Sequence, residues 1–260
     1  MSTELGPRTL GDIINETFSL YGKGLWTFVA IVIIPEVILF VLSAVVFIPI
    51  ILVGGISDGF DFSPFSFDYN YELGVGIGLV IVLGLVLFIV SLIVSALMQG
   101  ALIHAVSEQT ARQTSNFGQS YSAAWQRIGN LIGASLLAGL AVFLMAITII
   151  GIPVAIYFGV RWFFILQAIL IEGSGITESL SRSSSLVEGN WWRVFGIMLM
   201  LGLIGCVISF ALSFIPIIGS IIGAVVATPI MAAAQTLLYY DLRHRKGGYT
   251  TDALAGELGT

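Results

Sequence analysis

Two ionisable side chains, Glu36 and Arg161, stand inside long apolar runs. Charge in hydrocarbon is costly, so such groups usually face a bundle interior and find each other. Glu36 lies about 11 residues past the inner start of the first run, roughly 16 Å at helical rise. Arg161, counted down from Pro153, lies about 18 Å from the same side of a roughly 30 Å core. The matching depths predict an intramembrane ion pair, acting as structural glue or as a gate separated by substrate or proton. The alternative is a protonated Glu36 beside Pro35 and an Arg161 that snorkels outward.

Other polar groups recur in patterns. Gln99, Gln167 and Gln235 are spaced 68 residues apart and open QGALIH, QAILIE and QTLLYY. They suit a polar ring about a shared axis, or separate hydrogen bonds to neighbouring helices. Arg182, Arg193, Arg243, Arg245 and Lys246 suit contact with anionic lipid headgroups. The run Ser181-Arg182-Ser183-Ser184-Ser185 reads as the wet face of an interfacial helix. Asp241 with Arg243 and Arg245 reads as a solvated charge cluster at a helix end rather than a general acid or base.

No catalytic constellation emerges. His104 and His244 have no metal-ligand company at helical spacing. Gly55-Ile56-Ser57-Asp58-Gly59 matches Gly-x-Ser-x-Gly but follows a long apolar run rather than a strand, so it is not read as a nucleophile elbow. There is no phosphate loop or intramembrane aspartate pair. Cys206 is the single cysteine and lies in an apolar run, which excludes a disulfide framework. In the segment 57–74, Asp58, Asp61, Asp68 and Glu72 alternate with aromatic residues but lack the EF-hand spacing, so an aromatic girdle is preferred to a calcium site. The expectation is no catalytic residue, no metal and no cofactor. No basic stripe interleaved with aromatics points to nucleic acid.

The elements that would position these residues follow from composition. The chain of 260 residues is 57% hydrophobic and 10% charged, against about 25% charged in soluble domains. Apolar runs at 25–53, 74–103, 131–150, 154–171, 192–215 and 217–240 are long enough to span a bilayer. The first 24 residues are polar and mixed in charge, unlike a removable signal.

Three polar stretches carry helical stripes too short and narrow to span, as interfacial helices would. One stripe is Leu10, Ile13, Ile14, Thr17, Phe18 and Tyr21. Another is Phe117, Tyr121, Ala124, Trp125 and Ile128. The weakest is Ile176, Leu180 and Val187. FIPII occurs at 47–51 and 214–218, and GIPVA at 151–155.

The reading is an all-α integral membrane protein whose six transmembrane helices form three repeats of interfacial helix plus hairpin. The repeats fall at about 8–107, 115–173 and 174–246, in one membrane domain 1–246 with a tail 247–260. Nine of the ten Lys and Arg residues fall on one side of the spans. The positive-inside rule places that side and both termini in the cytoplasm, at the cell membrane.

Several segments carry a resemblance: LGDIINETF at 10–18, EGSGITESLSRS at 172–183, LVEGNWWR at 186–193 and YYDLRHRK at 239–246. Together they resemble the prokaryotic membrane domain named after its fusion to glycerophosphoryl diester phosphodiesterases. The resemblance implies a standalone six-helix membrane domain with no transferable catalytic residue. A hydrolase domain would need on the order of 200 further residues with acidic metal ligands. Relatives often place an acidic residue after the terminal lysine, whereas Gly247 and Gly248 stand here and imply a looser tail.

Three classes of function remain. One is a non-enzymatic module organising membrane lipids, a protein partner or a homo-oligomer. The second is a small-solute or lipid transporter or channel along the repeat axis. The third is a lipid-modifying enzyme, disfavoured by the missing catalytic groups.

Overall fold

Residues 8–56, 71–212, 214–215 and 218–257 are described by a computed structural model. Among them every regular element is a helix. The expected outer loop, with Asp58, Asp61 and Asp68, lies outside the described residues, as does Pro216 of the second FIPII. Six helices are long and apolar enough to cross a membrane.

The chain divides into two compact units, Met1–Ile33 with Ala96–Thr260, and Ile34–Ser95. The smaller unit holds the later part of α2 (Leu25–Ile56) and the earlier part of α3 (Tyr71–Arg112). Its surface is apolar: Val37, Ile38, Val41, Ile81, Leu85 and Phe88 are all exposed. Two of its serines bond within their own helices, Ser43 donating to the Leu39 carbonyl and Ser91 to that of Phe88. This suits a chain surrounded by hydrocarbon, where each backbone and hydroxyl group must be paired internally.

The larger unit begins with α1 (Leu10–Lys23), opened by a reciprocal cap in which Thr9 and Asp12 exchange hydrogen bonds. The predicted stripe is partly inverted. Ile13, Thr17 and Leu20 form the buried face against the last long helix, while Phe18 is exposed. Next, α4 (Phe117–Gln126) is capped by Asn116, whose side chain accepts from the Gly118 and Gln119 amides. There follow α5 (Ile128–Ala146), α6 (Gly151–Arg161), α7 (Ile165–Glu172), α8 (Ile176–Val187), α9 (Trp191–Leu212), α10 (Ile218–Gly247) and α11 (Thr251–Glu257).

Three features depart from expectation. The fourth span is broken, with α6 ending at Arg161 and α7 starting at Ile165. Pro153 sits in the first turn of α6, where a proline costs no helical hydrogen bond, rather than in the turn before it. The tail is ordered: Gly248, at φ +64°, reverses the chain into α11, whose Leu254 is fully buried.

The fourth and sixth spans are the enclosed ones. Their most apolar windows are 50% and 44% buried, against 6–22% for the other four. Phe164, Ile169, Leu186, Val194, Leu237, Tyr239 and Leu242 are fully buried in one core. Gly100 of α3 permits a close approach, since a Cβ there would lie 2.9 Å from Leu131 and 3.0 Å from Ala124. The threefold repeat is not confirmed. Two of the predicted interfacial helices have unlike neighbours: α1 packs on α10, whereas α8 packs on α5, α6, α7 and α10.

Candidate functional site

The charged ends of α1, α9 and α10 converge on Asp241, which is 1% exposed. Its Oδ1 accepts from the Arg8 backbone N–H at 2.7 Å. Its Oδ2 accepts from Arg193 Nη2 at 3.0 Å and from Arg245 Nε at 2.9 Å. The Arg8 carbonyl accepts from the same two guanidinium groups, at 2.6 and 3.1 Å. Arg8 in turn pairs with Glu16 at 2.7 Å. Burial pushes the Glu16 carboxyl above its ordinary range despite the pull of Arg8. A buried carboxylate persists only when paired and hydrogen-bonded, and Asp241 has three donors. The reading of Asp241 as solvated is therefore corrected: the carboxylate is buried, while its arginine partners Arg193 and Arg245 remain partly exposed.

A second hub is Glu172, the last residue of α7. It pairs with Arg182 at 2.6 Å and with Arg243 at 3.3 Å, and accepts a hydrogen bond from the Tyr239 hydroxyl. Arg243 also makes a two-pronged pair with Glu257, both contacts at 2.9 Å. Its guanidinium lies 3.6 Å from the centre of the Tyr249 ring, and the Tyr249 hydroxyl donates to Glu257.

The hydrogen bond to Glu172 raises the pKa of Arg182. Burial raises that of the Tyr249 hydroxyl, helped by its bond to Glu257. For Glu257, burial pushes upward but the bonds from Arg243 and Tyr249 prevail, holding its carboxyl below the ordinary range. Glu172 thus joins α7, α8 and α10, and Arg243 adds α11.

The connection from α7 to α8 is made by Gly173 in the left-handed region, at φ +75°. A Cβ at that position would lie 2.8 Å from Arg127, whose Nη1 donates to the Ile169 carbonyl at 2.6 Å. Glycine satisfies both the backbone and the space. In α8, Ser179 and Ser183 are fully buried, whereas Ser181 and Ser185 are exposed. The wet-face reading therefore holds for only part of the serine run. The Ser183 hydroxyl is set into the break of the fourth span. It accepts from the Phe164 N–H at 3.0 Å and donates to the Arg161 carbonyl at 2.7 Å.

Arg161 donates to the Tyr157 hydroxyl at 3.1 Å, and its guanidinium lies 5.6 Å from the centre of that ring. No carboxylate among the described residues of its own unit forms an ion pair with it. Glu36 is half-buried and belongs to the smaller unit. The three glutamines occupy three different environments. Gln99 is exposed, Gln235 donates to the Phe163 carbonyl at 2.6 Å, and Gln167 is fully buried with neither amide atom hydrogen-bonded to protein. No hydrogen bond joins them. Lys246 donates to the Ser185 carbonyl, and His104 lies 3.8 Å from Glu108. No group of three His, Cys, Asp or Glu side chains among the described residues could hold a metal ion.

The cations proposed for headgroup contact are mainly the donors of these two hubs. Sequence reading placed Asp241 in a charge cluster but as solvated, and it missed the acceptors Glu172, Glu16 and Glu257, together with Arg8, Tyr239 and Tyr249. A signal existed: carboxylates at the ends of apolar runs, each facing an excess of arginine. The chemistry available is clamping. Each hub carboxylate is held by two guanidinium groups and a further donor, which leaves no free base.

An open apolar groove of 540 Å³ lies beside the break, lined by Pro153, Ile156, Tyr157, Trp191 and Trp192. Trp191 donates to the Tyr157 carbonyl at 3.3 Å and stacks on both Tyr157 and Phe195. No curated protein and no solved structure matches the chain at a significant level. Residues 137–239 run from α5 through the break, α8 and α9 to the Tyr239 that binds Glu172. That stretch matches the family described as the membrane domain of glycerophosphoryl diester phosphodiesterase, and the resemblance read from the sequence is borne out there.

Proposed function

We propose that the protein is a non-enzymatic multi-pass module of the cytoplasmic membrane that organises lipids or partner proteins, with both termini in the cytoplasm. The observation that carries this reading is the saturation of the Asp241 and Glu172 carboxylates. A general acid or base needs a carboxyl free to exchange a proton with substrate, within hydrogen-bond reach of it. Here both are committed to guanidinium groups, which together join α1, α7, α8, α9, α10 and α11.

The test is to reconstitute the protein in vesicles and supply glycerophosphodiesters and phospholipids. No product should form, and lipids or a partner should co-purify in mild detergent. Turnover that disappears in Glu172→Gln or Asp241→Asn would replace this reading with an enzymatic one. Saturable solute flux would replace it with transport.

A further inference from the structure

We propose that the groove beside the broken fourth span is a phospholipid site, with the lipid phosphate on Arg161 and an acyl chain along α6. Pro153, Ile156, Tyr157 and Arg161 lie at offsets of three, four and eight, one stripe of a helix. The stripe is apolar for about one turn and ends, a turn later, in a cation. Trp191 and Trp192, from the first turn of α9, form the facing wall. The site therefore has the sequence of a phospholipid: hydrocarbon, an amphipathic aromatic zone, then an anion-binding group.

Charge complementarity selects this occupant. A guanidinium offers five N–H donors in a planar fork suited to phosphate oxygens. Arg161 uses one on a neutral tyrosine hydroxyl. The other arginines at the ends of α8, α9 and α10 are held by carboxylates. Among the described residues of its own unit, Arg161 has no carboxylate partner and is available for an external anion. A protein segment would need an acidic residue beside an apolar stretch, whereas the surrounding membrane supplies a phosphate with its acyl chain attached. Tyr157 is 44% and Trp192 77% exposed, so the groove is open at its surface. Tryptophan and tyrosine favour the headgroup level. Trp191 opens α9 and donates to the Tyr157 carbonyl. In this site Arg161, one turn beyond Tyr157, therefore lies at the inner headgroup level, shallower than the depth of about 18 Å counted from Pro153.

The inference deepens the organising role proposed above and names its ligand class. The experiment is native mass spectrometry of the delipidated full chain with added phosphatidylglycerol, diacylglycerol or inorganic phosphate. Wild-type protein should retain one phosphatidylglycerol more tightly than diacylglycerol, and inorganic phosphate should not compete. Arg161→Gln should weaken phosphatidylglycerol retention about tenfold, the scale of losing a charged hydrogen bond, and leave diacylglycerol unchanged. Trp192→Ala should weaken both lipids.

Glu36→Gln should leave retention unchanged. A gain on that substitution would show that Glu36 holds Arg161 and would overturn the proposal. Equal retention by wild type and Arg161→Gln, with both melting alike, would overturn it as well. Failure here leaves the organising role standing, whereas catalytic turnover would remove that role without touching lipid retention.

Discussion

The hydroxyl of Ser183 replaces helical hydrogen bonds that the fourth span lacks at Phe164. It takes the Phe164 N–H as acceptor and serves the Arg161 carbonyl as donor. One small side chain on α8 thereby lets α6 and α7 change course inside a buried core.

Ser183→Ala should leave both backbone groups unsatisfied and cost about 1–3 kcal/mol. Thermal denaturation in detergent checks this against Ser181→Ala, whose exposed hydroxyl should matter by under about 0.5 kcal/mol. Equal melting temperatures for the two variants would remove Ser183 from this role.

Asp241→Asn should be among the most damaging single substitutions, at about 3–5 kcal/mol, because Arg193 and Arg245 lose their shared anion. Pairing it with Arg193→Met should restore part of the loss. A double-mutant cycle in chemical denaturation measures the coupling, and strict additivity would contradict the shared clamp.

Acid should release the tail before it unfolds the core. The Glu257 carboxyl is held below its ordinary value of 4.5 by Arg243 and Tyr249. A depressed carboxyl contributes stability that is complete above about 4.5 and is lost as pH falls through the folded value. Glu16, on α1, is shifted upward and has the opposite sign: its contribution is present at low pH and lost as pH rises. Hydrogen exchange confined to α11 separates the two. Amides there should lose protection below pH 4.5 in the native chain. In Glu257→Gln they should be weakly protected at neutral pH, with little further change on acidification.

Reporter fusions test the orientation drawn from the charge asymmetry. Fusions after Ala111 and after Lys246 should read cytoplasmic, and one after Asp61 should read external. A cytoplasmic reading at Asp61 would require a different arrangement of spans.

The spans were legible because apolar length is a one-dimensional property: each of the six runs carries helix, the fourth as the two pieces α6 and α7. The capped start of α1 was not singled out, although Thr9 and Asp12 carry its signal. The break at Trp162–Phe164 was invisible because neither glycine nor proline marks it; it depends on Ser183, about twenty residues later. The hubs were half legible. Cations at the ends of spans are counted easily, but their assignment to Glu172, Asp241 and Glu257 depends on which helices meet. The tail was misread because two glycines suggest looseness, whereas Gly248 makes the reversal that delivers Glu257 to Arg243.

The bond from Arg8 to Asp241 joins residues 233 positions apart. During synthesis at about 5–20 residues per second, the first helix emerges tens of seconds before its anchor exists. Through that interval Arg8 has Glu16 as a local partner, and α1 is an amphipathic segment without its final seat. A nascent chain halted before Asp241 therefore lacks the buried acceptor that seats its own beginning.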